Sequence, residues 1–325
     1  MKAIVYTEYG PPEVLQIKEI EKPHPKNDEV LIKVHSTEVT KADCEMRSFN
    51  FAVKWFWLPL RLAWGVFKPK KQVLGGYFSG EIEDIGKNVS RFVIGDQVFG
   101  ATRMRFGAYA EYLCLPSSYT LVKKPNNMTY EEAAAVPLGG LNALHFMRKA
   151  KIKEGDKILI NGAGGSIGTF AVQIAKAMGA EVTVVDSSIK ETMLRQIGAD
   201  HFIDYTQENI TKQGKTFDVI FNMVANSQYE DFIKILNPKG RYLIGNPKLI
   251  NMFLSVITTK FTDKSAIFTF AGEKEEELII LKKMIEEDKI TSVVDKIFSF
   301  YQVVDAHQRV ETEQRIGIVV LSLSN

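Results

Sequence analysis

The spacing of apolar positions changes along the chain, and the change divides it. Up to about residue 120 they fall in short runs at 1–7, 14–19, 29–37 and 78–85, punctuated by Gly-Pro-Pro at 10–12, Gly86 and Gly95. Short runs bounded by glycine and proline predict strands. Beyond this region strands alternate with helical spacing. Residues 157–161 are mostly apolar, as in a strand buried on both faces. Ile167, Phe170, Ala171, Ile174, Ala175 and Met178 then recur on one helical face, which ends at Gly179. Residues 181–185 form the next strand, with Asp186 at its end. A helix near 190–197, strands at 201–203, 218–222, 241–245 and 266–270, and a helix at 228–236 continue the alternation. This rhythm predicts a parallel sheet with helices on both faces, an α/β fold. Residues 274–287 read as a charged amphipathic helix, and late strands at 293–300 and 317–321 are candidates to rejoin the first domain.

Length supports the division, since 325 residues exceed the size at which one core usually splits. The expected domains are 1–122, 123–271 and a C-terminal segment 272–325 that completes the first. A net charge of +2, with no run of like charge beyond Lys68, Lys70 and Lys71, argues against extended nucleic-acid binding. Two cysteines, Cys44 and Cys114, cannot make a disulfide framework or a four-cysteine zinc site. With no signal-peptide apolar core in MKAIVYTEYG, a cytoplasmic setting is expected.

One segment breaks both patterns. Residues 49–67 carry Trp55, Trp57 and Trp64 together with Phe49, Phe51, Phe56 and Phe67, interrupted by Lys54, Pro59 and Arg61. The interruptions make it too broken for a transmembrane helix. Packing under the first domain, a wall over a hydrophobic pocket, and an exposed partner or membrane patch all remain open; membrane contact is not the expectation.

The strongest chemical signal is the turn at 162–168. Gly162, Gly164, Gly165 and Gly168 let the backbone approach a ligand closely. The helix that starts there offers free N–H groups and the positive end of its dipole to a pyrophosphate. Asp186, about 20 residues beyond the glycines, suits a ribose hydroxyl pair. Candidate dinucleotide contacts are therefore Gly162, Gly164, Gly165, Ser166, Ile167, Gly168 and Asp186, with Lys190 able to reach a phosphate. Asp186 has a bland alternative as the N-cap of the next helix.

In this order the motifs resemble the medium-chain dehydrogenase/reductase superfamily, and within it the zinc-free quinone oxidoreductase-like branch. The resemblance rests on GDQVFGA at 95–101, FGAYAEYLCLP at 106–116, EEAAAVPLGGLNALH at 131–145, NGAGGSIG at 161–168, IGADHFIDY at 197–205 and RIGIVVL at 315–321. It implies a β-rich GroES-like domain beside a Rossmann-like doubly wound parallel sheet. It also implies a homodimer through the strand at 266–270, and an adenosine-end role for Tyr205.

Zinc-dependent relatives place a cysteine after the early strand, a His-Glu pair before a glycine, and a cysteine before the cofactor domain. Here those places hold Thr40, Gly76 and Tyr77, and the cysteine-free VPLGGLN. His35, His145, His201 and His307 match no ligand spacing, so no metal is expected. Asp186 repels a 2′-phosphate and favours NAD(H). NADP(H) stays possible through Lys190, Ser187 or Ser188, although the arginine common in NADP(H)-using members is Ile189 here.

Without a metal, a carbonyl is polarised by hydrogen-bond donors and by position. Thr40 stands where the branch commonly has asparagine, Asn142 where relatives have threonine beside the nicotinamide, and Tyr77 could serve as donor or acid. Each also has a structural reading: turn chemistry, a helix start and core packing. Asp43 and Arg47 have the spacing of a helical ion pair, and structural pairing is the safer reading. Glu45 falls where some relatives carry a tyrosine, against a tyrosine-acid mechanism of their kind. The implied activity is reduction of a hydrophobic quinone, enone or aldehyde, or the reverse oxidation. A non-catalytic NAD(P)H sensor or partner-binding protein is the alternative.

Overall fold

The computed structural model describes residues 1–51, 57–269 and 271–323. Lys54, Trp55 and Phe56 of the aromatic segment and Phe270 of the expected edge strand lie outside the described residues. The chain forms two units: residues 1–138 with 273–288 and 292–325, and residues 139–272 with 289–291.

In the first unit β1 (Lys2–Val5) pairs antiparallel with β2 (Gln16–Glu19). Residues 12–14 form a 3₁₀ turn instead of the start of a strand, because proline fixes φ near a helical value. The long strand β3 (Glu29–Val39) runs into α1 (Lys41–Ser48), and α2 (Trp57–Trp64) follows. Then come β4 (Tyr77–Ile85), β5 (Gln97–Ala101), β6 (Tyr112–Pro116), β7 (Leu121–Lys123) and α3 (Tyr130–Ala134). Neither α1 nor α2 stands out from periodicity: α1 is short and mostly polar, and α2 is apolar nearly all round. Val30, Ile32 and Val34 of β3 pack with Phe78, Ile82, Val98 and Leu115 in one core. Burying each such side chain is worth roughly 1.5–3 kcal/mol.

The second unit is built on α4 (Pro137–Ala150), β8 (Lys157–Asn161), α5 (Ser166–Ala177), β9 (Glu181–Asp186), α6 (Glu191–Gln196) and β10 (His201–Asp204). It continues through β11 (Phe217–Asn222), α7 (Tyr229–Lys234), β12 (Leu236–Ile244), α8 (Leu249–Phe261) and β13 (Ser265–Phe268). The sheet order is β10-β9-β8-β11-β12-β13, parallel throughout, which is the doubly wound Rossmann order. Strand β12 starts where the helix at 228–236 was expected to end, because Leu236 already pairs with Phe217. Helix α8 was not foreseen: in LINMFLSVITTKF the polar Asn251, Ser255 and Thr258 lie on the buried side and Ile250, Phe253 and Val256 are exposed, the reverse of the usual amphipathic pattern.

The C-terminal segment supplies α9 (Glu275–Glu286), β14 (Val294–Ser299), α10 (Val303–Glu311) and β15 (Ile318–Ser322). Strand β15 pairs antiparallel with β3, giving the order β14-β15-β3-β4-β5-β7 with β6 also on β3. The late strands therefore rejoin the first unit. Val303, Ala306 and Val310 of α10 pack with Val39, Cys44, Met46 and Tyr109 in its second core.

Candidate active site

The turn after β8 lies at the carboxyl edge of the Rossmann sheet, where the strand order reverses between β8 and β11. That reversal is where open α/β sheets bind nucleotides. Gly162 donates from its N–H to the Val185 carbonyl at 3.0 Å, tying the turn to β9. Gly165 is the N-cap of α5; Ser166 and Ile167 open the helix. At Gly168 a Cβ would lie 2.3 Å from the Ala163 carbonyl oxygen, so the helix packs directly on the turn. At Gly164 a Cβ would lie 2.2 Å from Cδ of Lys190 and 3.1 Å from Asp186 Oδ2. At Gly164 and Gly168 the turn thus has no space for a side chain, and its backbone with the helix start fits a dinucleotide pyrophosphate.

Asp186 is 7% exposed at the end of β9. It accepts from Gly164 N at 2.7 Å and from Ser187 N at 2.8 Å, and pairs with Lys190 Nζ at 3.0 Å. It therefore ties the glycine turn to the next loop, while Ser187 is the N-cap there. Ser187 Oγ also donates to Asp186 at 3.5 Å, so all of the roughly four acceptor directions of the carboxylate are used. Lys190 is also buried, its stem lying over Gly164. Tyr205 projects exposed beside this group, its N–H bonded to the Asp186 carbonyl at 3.2 Å.

Two buried asparagines close the floor of this edge and were missed from sequence. Asn161 Nδ2 donates to Asn222 Oδ1 at 2.8 Å, across the ends of β8 and β11. Asn222 Nδ2 in turn donates to Ser227 Oγ at 2.5 Å and to Tyr242 Oη at 2.9 Å. An asparagine ending each of the two central strands was the available signal. Asn142 is half-buried on α4 of the same unit.

The first unit gathers the other candidates at the end of β3. Thr40 is the buried N-cap of α1 and forms a capping box with Asp43. Its Oγ1 accepts from Asp43 N at 3.0 Å and donates to Asp43 Oδ2 at 2.6 Å. Asp43 also accepts from Thr40 N at 3.0 Å and Gly75 N at 3.1 Å. Burial pushes the Asp43 carboxyl above its ordinary range, opposed by these donors. The ion pair of Asp43 with Arg47 does not form. Capping holds Asp43 toward the start of α1, and Arg47 pairs with Glu311 of α10 instead.

Tyr77, the first residue of β4, donates from Oη to Glu273 Oε1 at 2.9 Å. Burial and the neighbouring carboxylate push the phenol well above its usual value. Burial raises the Glu273 carboxyl, while the Tyr77 hydrogen bond and Arg103 work against it. Glu273 is held through its main chain: Thr120 Oγ1 donates to its carbonyl, as does Arg103 at 3.5 Å. Sequence gave no hint of Glu273, 196 residues away from Tyr77.

Behind Asp43 lies a buried polar relay. Arg47 approaches His307 Nδ1 at 3.4 Å, and Tyr109 Oη lies 3.2 Å from Nε2. A guanidinium only donates, so Nδ1 accepts and the imidazole proton sits on Nε2, directed at Tyr109. Tyr109 passes a hydrogen bond on to Asp43. Burial, with the Arg47 charge, lowers His307 to about 3. Cys44 is buried against this ring at 3.4 Å from Nδ1, with its thiol pushed up by burial. Of the other histidines, His35 stacks on Tyr130, His145 contacts Thr269 and His201 pairs with Glu181. Among the described residues, no group of three or more His, Cys, Asp or Glu side chains is placed to hold a metal ion.

The chain matches three family models. These are the alcohol dehydrogenase GroES-like domain over residues 26–126, the zinc-binding dehydrogenase model over 197–321, and the alanine dehydrogenase/PNT C-terminal domain over 135–226. A mitochondrial NAD(P)H oxidoreductase of Danio rerio is 31% identical, the alignment covering 99% of this chain and 91% of that protein. A 2-methylene-furan-3-one reductase of Solanum lycopersicum is 30% identical over 99% of this chain and 79% of its own length. Among solved structures, a quinone oxidoreductase of Coxiella burnetii superposes with a TM-score of 0.87 at 28% identity, covering 100% of this chain and 99% of that one.

Proposed function

The chain belongs to the quinone oxidoreductase-like branch of the medium-chain dehydrogenase/reductase superfamily, and from that premise we propose that it is an NAD(P)H-dependent oxidoreductase that reduces a quinone, enone or aldehyde with a hydrophobic body, without a metal. One observation carries the reading: the side-chain-free glycine cradle sits at the switch point of the sheet, with Asp186 locked to it through Gly164. Bound reduced nicotinamide supplies the hydride. The chain's own residues bind, orient and deliver the proton.

Asp186, Lys190 and Tyr205 are the adenosine-end contacts, and residues 162–168 receive the pyrophosphate. A ribose hydroxyl replaces the long 3.5 Å Ser187 Oγ contact on Asp186, which favours NAD(H). Lys190 neutralises the same carboxylate and can turn to a 2′-phosphate, so NADP(H) is accepted more weakly. Asn142 is assigned to the nicotinamide end.

As hydride reaches the substrate carbon, the carbon–oxygen π pair moves onto oxygen. Tyr77 donates its hydroxyl proton to that oxygen, and Glu273, whose carboxyl is raised by burial, is the 2.9 Å hydrogen-bond partner placed to return a proton to it. Thr40 holds the adjoining end of β3 in shape through Asp43, and adds its own hydroxyl as a donor when the Asp43 bond opens. The residues at the zinc positions of relatives support metal independence: Gly76 has no side chain, and Thr40 and Tyr77 offer neutral hydroxyls where zinc takes thiolate, imidazole or carboxylate.

The test is nicotinamide absorbance on mixing the protein with NADH or NADPH and a panel of quinones, enones and aldehydes. Oxidation of the cofactor with at least one class is expected. Binding of NADH with no oxidation across the panel would make the chain a sensor.

A further inference from the structure

Helix α2 and the turn after it present a face that neither the fold nor the redox chemistry uses. Its inner side is accounted for. Leu60 and Trp64 pack on the core of the first unit, and the Arg61 guanidinium lies 4.3 Å from the Tyr9 ring centre and 4.4 Å from that of Phe49. The outer side carries Leu58, Pro59, Leu62 and Ala63, continued by Val66 and Phe67, with no polar side chain among them. Leu58 is 60% exposed, Leu62 61% and Phe67 93%. A lone exposed leucine is ordinary, but a contiguous apolar face on one helix and its following turn marks a contact surface.

The charge around this face identifies the contact. No aspartate or glutamate occurs between Glu45 and Glu81, whereas Lys68, Lys70 and Lys71 follow Phe67 directly and are exposed. Lys70 is oriented by the helix end: its N–H donates to the Trp64 carbonyl at 2.8 Å, and its Nζ to the Ala63 carbonyl at 3.1 Å. Among the described residues none of these three lysines is paired with an acid. Apolar side chains next to an acid-free cluster of lysines are the composition of an interfacial membrane element: the apolar face enters the acyl boundary while the ammonium groups meet anionic headgroups. No helix among the described residues is long and apolar enough to cross a bilayer, so contact would be with one leaflet.

We infer that α2 and residues 65–71 form a docking face for an anionic lipid bilayer. Lys54, Pro59 and Arg61 interrupt the aromatic segment and argue against a transmembrane helix, with a membrane patch left open; the structure turns Arg61 inward and leaves the outer face of α2 apolar. The inference stands apart from the redox reading. It predicts only where the protein binds, and needs no turnover to be tested.

The experiment is cosedimentation of the full chain with phosphatidylcholine vesicles, with and without phosphatidylglycerol, at low and high salt. The protein is expected to pellet with the anionic vesicles and to be released by salt. Leu58→Ser with Leu62→Ser and Phe67→Ser is expected to lower partitioning at least about tenfold. Lys68→Gln with Lys71→Gln is expected to remove the preference for anionic lipid, by about fivefold per lysine. All five side chains are exposed, so melting temperature and NADH binding stay as in the parent and serve as the folding control. Failure of the parent to pellet with anionic vesicles overturns the inference, as does unchanged binding of the triple variant. A self-associating parent that becomes monomeric in the triple variant, without vesicle binding, would assign the face to a second copy and overturn it equally.

Discussion

In the proposed assignment Asp186 and Lys190 set the cofactor preference between them. The carboxylate alone would exclude a 2′-phosphate, but here a lysine shares its burial and its charge. Lys190→Ala is expected to leave NADH affinity within about threefold and to weaken NADPH by about tenfold, the scale of one lost charge-assisted contact. Asp186→Ser is expected to shift preference toward NADPH. Titrating both cofactors by fluorescence checks both; tighter NADPH binding by Lys190→Ala would remove the lysine from the phosphate. At the other candidate centre, Tyr77→Phe is expected to lower kcat by about a hundredfold with NADH affinity unchanged. Glu273→Gln should remove the fall in rate with rising pH that follows deprotonation of its raised carboxyl. A pH–rate profile of Glu273→Gln identical to the parent's would show that Glu273 is not the proton reservoir.

Helix α10 ties the C-terminal segment to α1 through groups that titrate. His307, buried and lowered to about 3 from an ordinary 6.5, stays neutral in the fold while the unfolded chain takes up its proton. Its contribution is therefore whole above pH 6.5 and is lost as pH falls from 6.5 toward 3, at up to about 1.4 kcal/mol per pH unit. Melting temperature followed from pH 7.5 downward should drop through this window, and His307→Gln should flatten the drop; an unaltered slope would place the acid sensitivity elsewhere. Elements of this kind also mark what could be read in advance. The strand–turn–helix–strand at 157–186 was legible because alternation, glycines and the terminal acid all agree. Helix α10 carries buried Val303, Ala306, His307 and Val310 at helical spacing, a pattern present but passed over. Helix α8 was not legible, since its polar Asn251, Ser255 and Thr258 face inward and its large apolar side chains outward, against the pattern that marks a core-facing helix. Glu273 was hidden for a different reason: its partner is remote in sequence, and only the fold brings the two together.

At the scale of the molecule, one unit carries a nucleotide cradle and the other a cluster of buried acids, hydroxyls and a phenol. Strand β15 pairs antiparallel with β3 and so adds the C-terminal segment to the first sheet. The proposed activity is reduction of a hydrophobic acceptor by NAD(P)H. Its most direct test is a single-turnover measurement with stereospecifically C4-deuterated NADH and a quinone or enone, following nicotinamide absorbance and the deuterium in the product. The account predicts cofactor oxidation, slowed by deuterium, with an enone product labelled at carbon and the rate cut by Tyr77→Phe. Tight NADH binding with no oxidation, or oxidation equally fast in Tyr77→Phe, would contradict it.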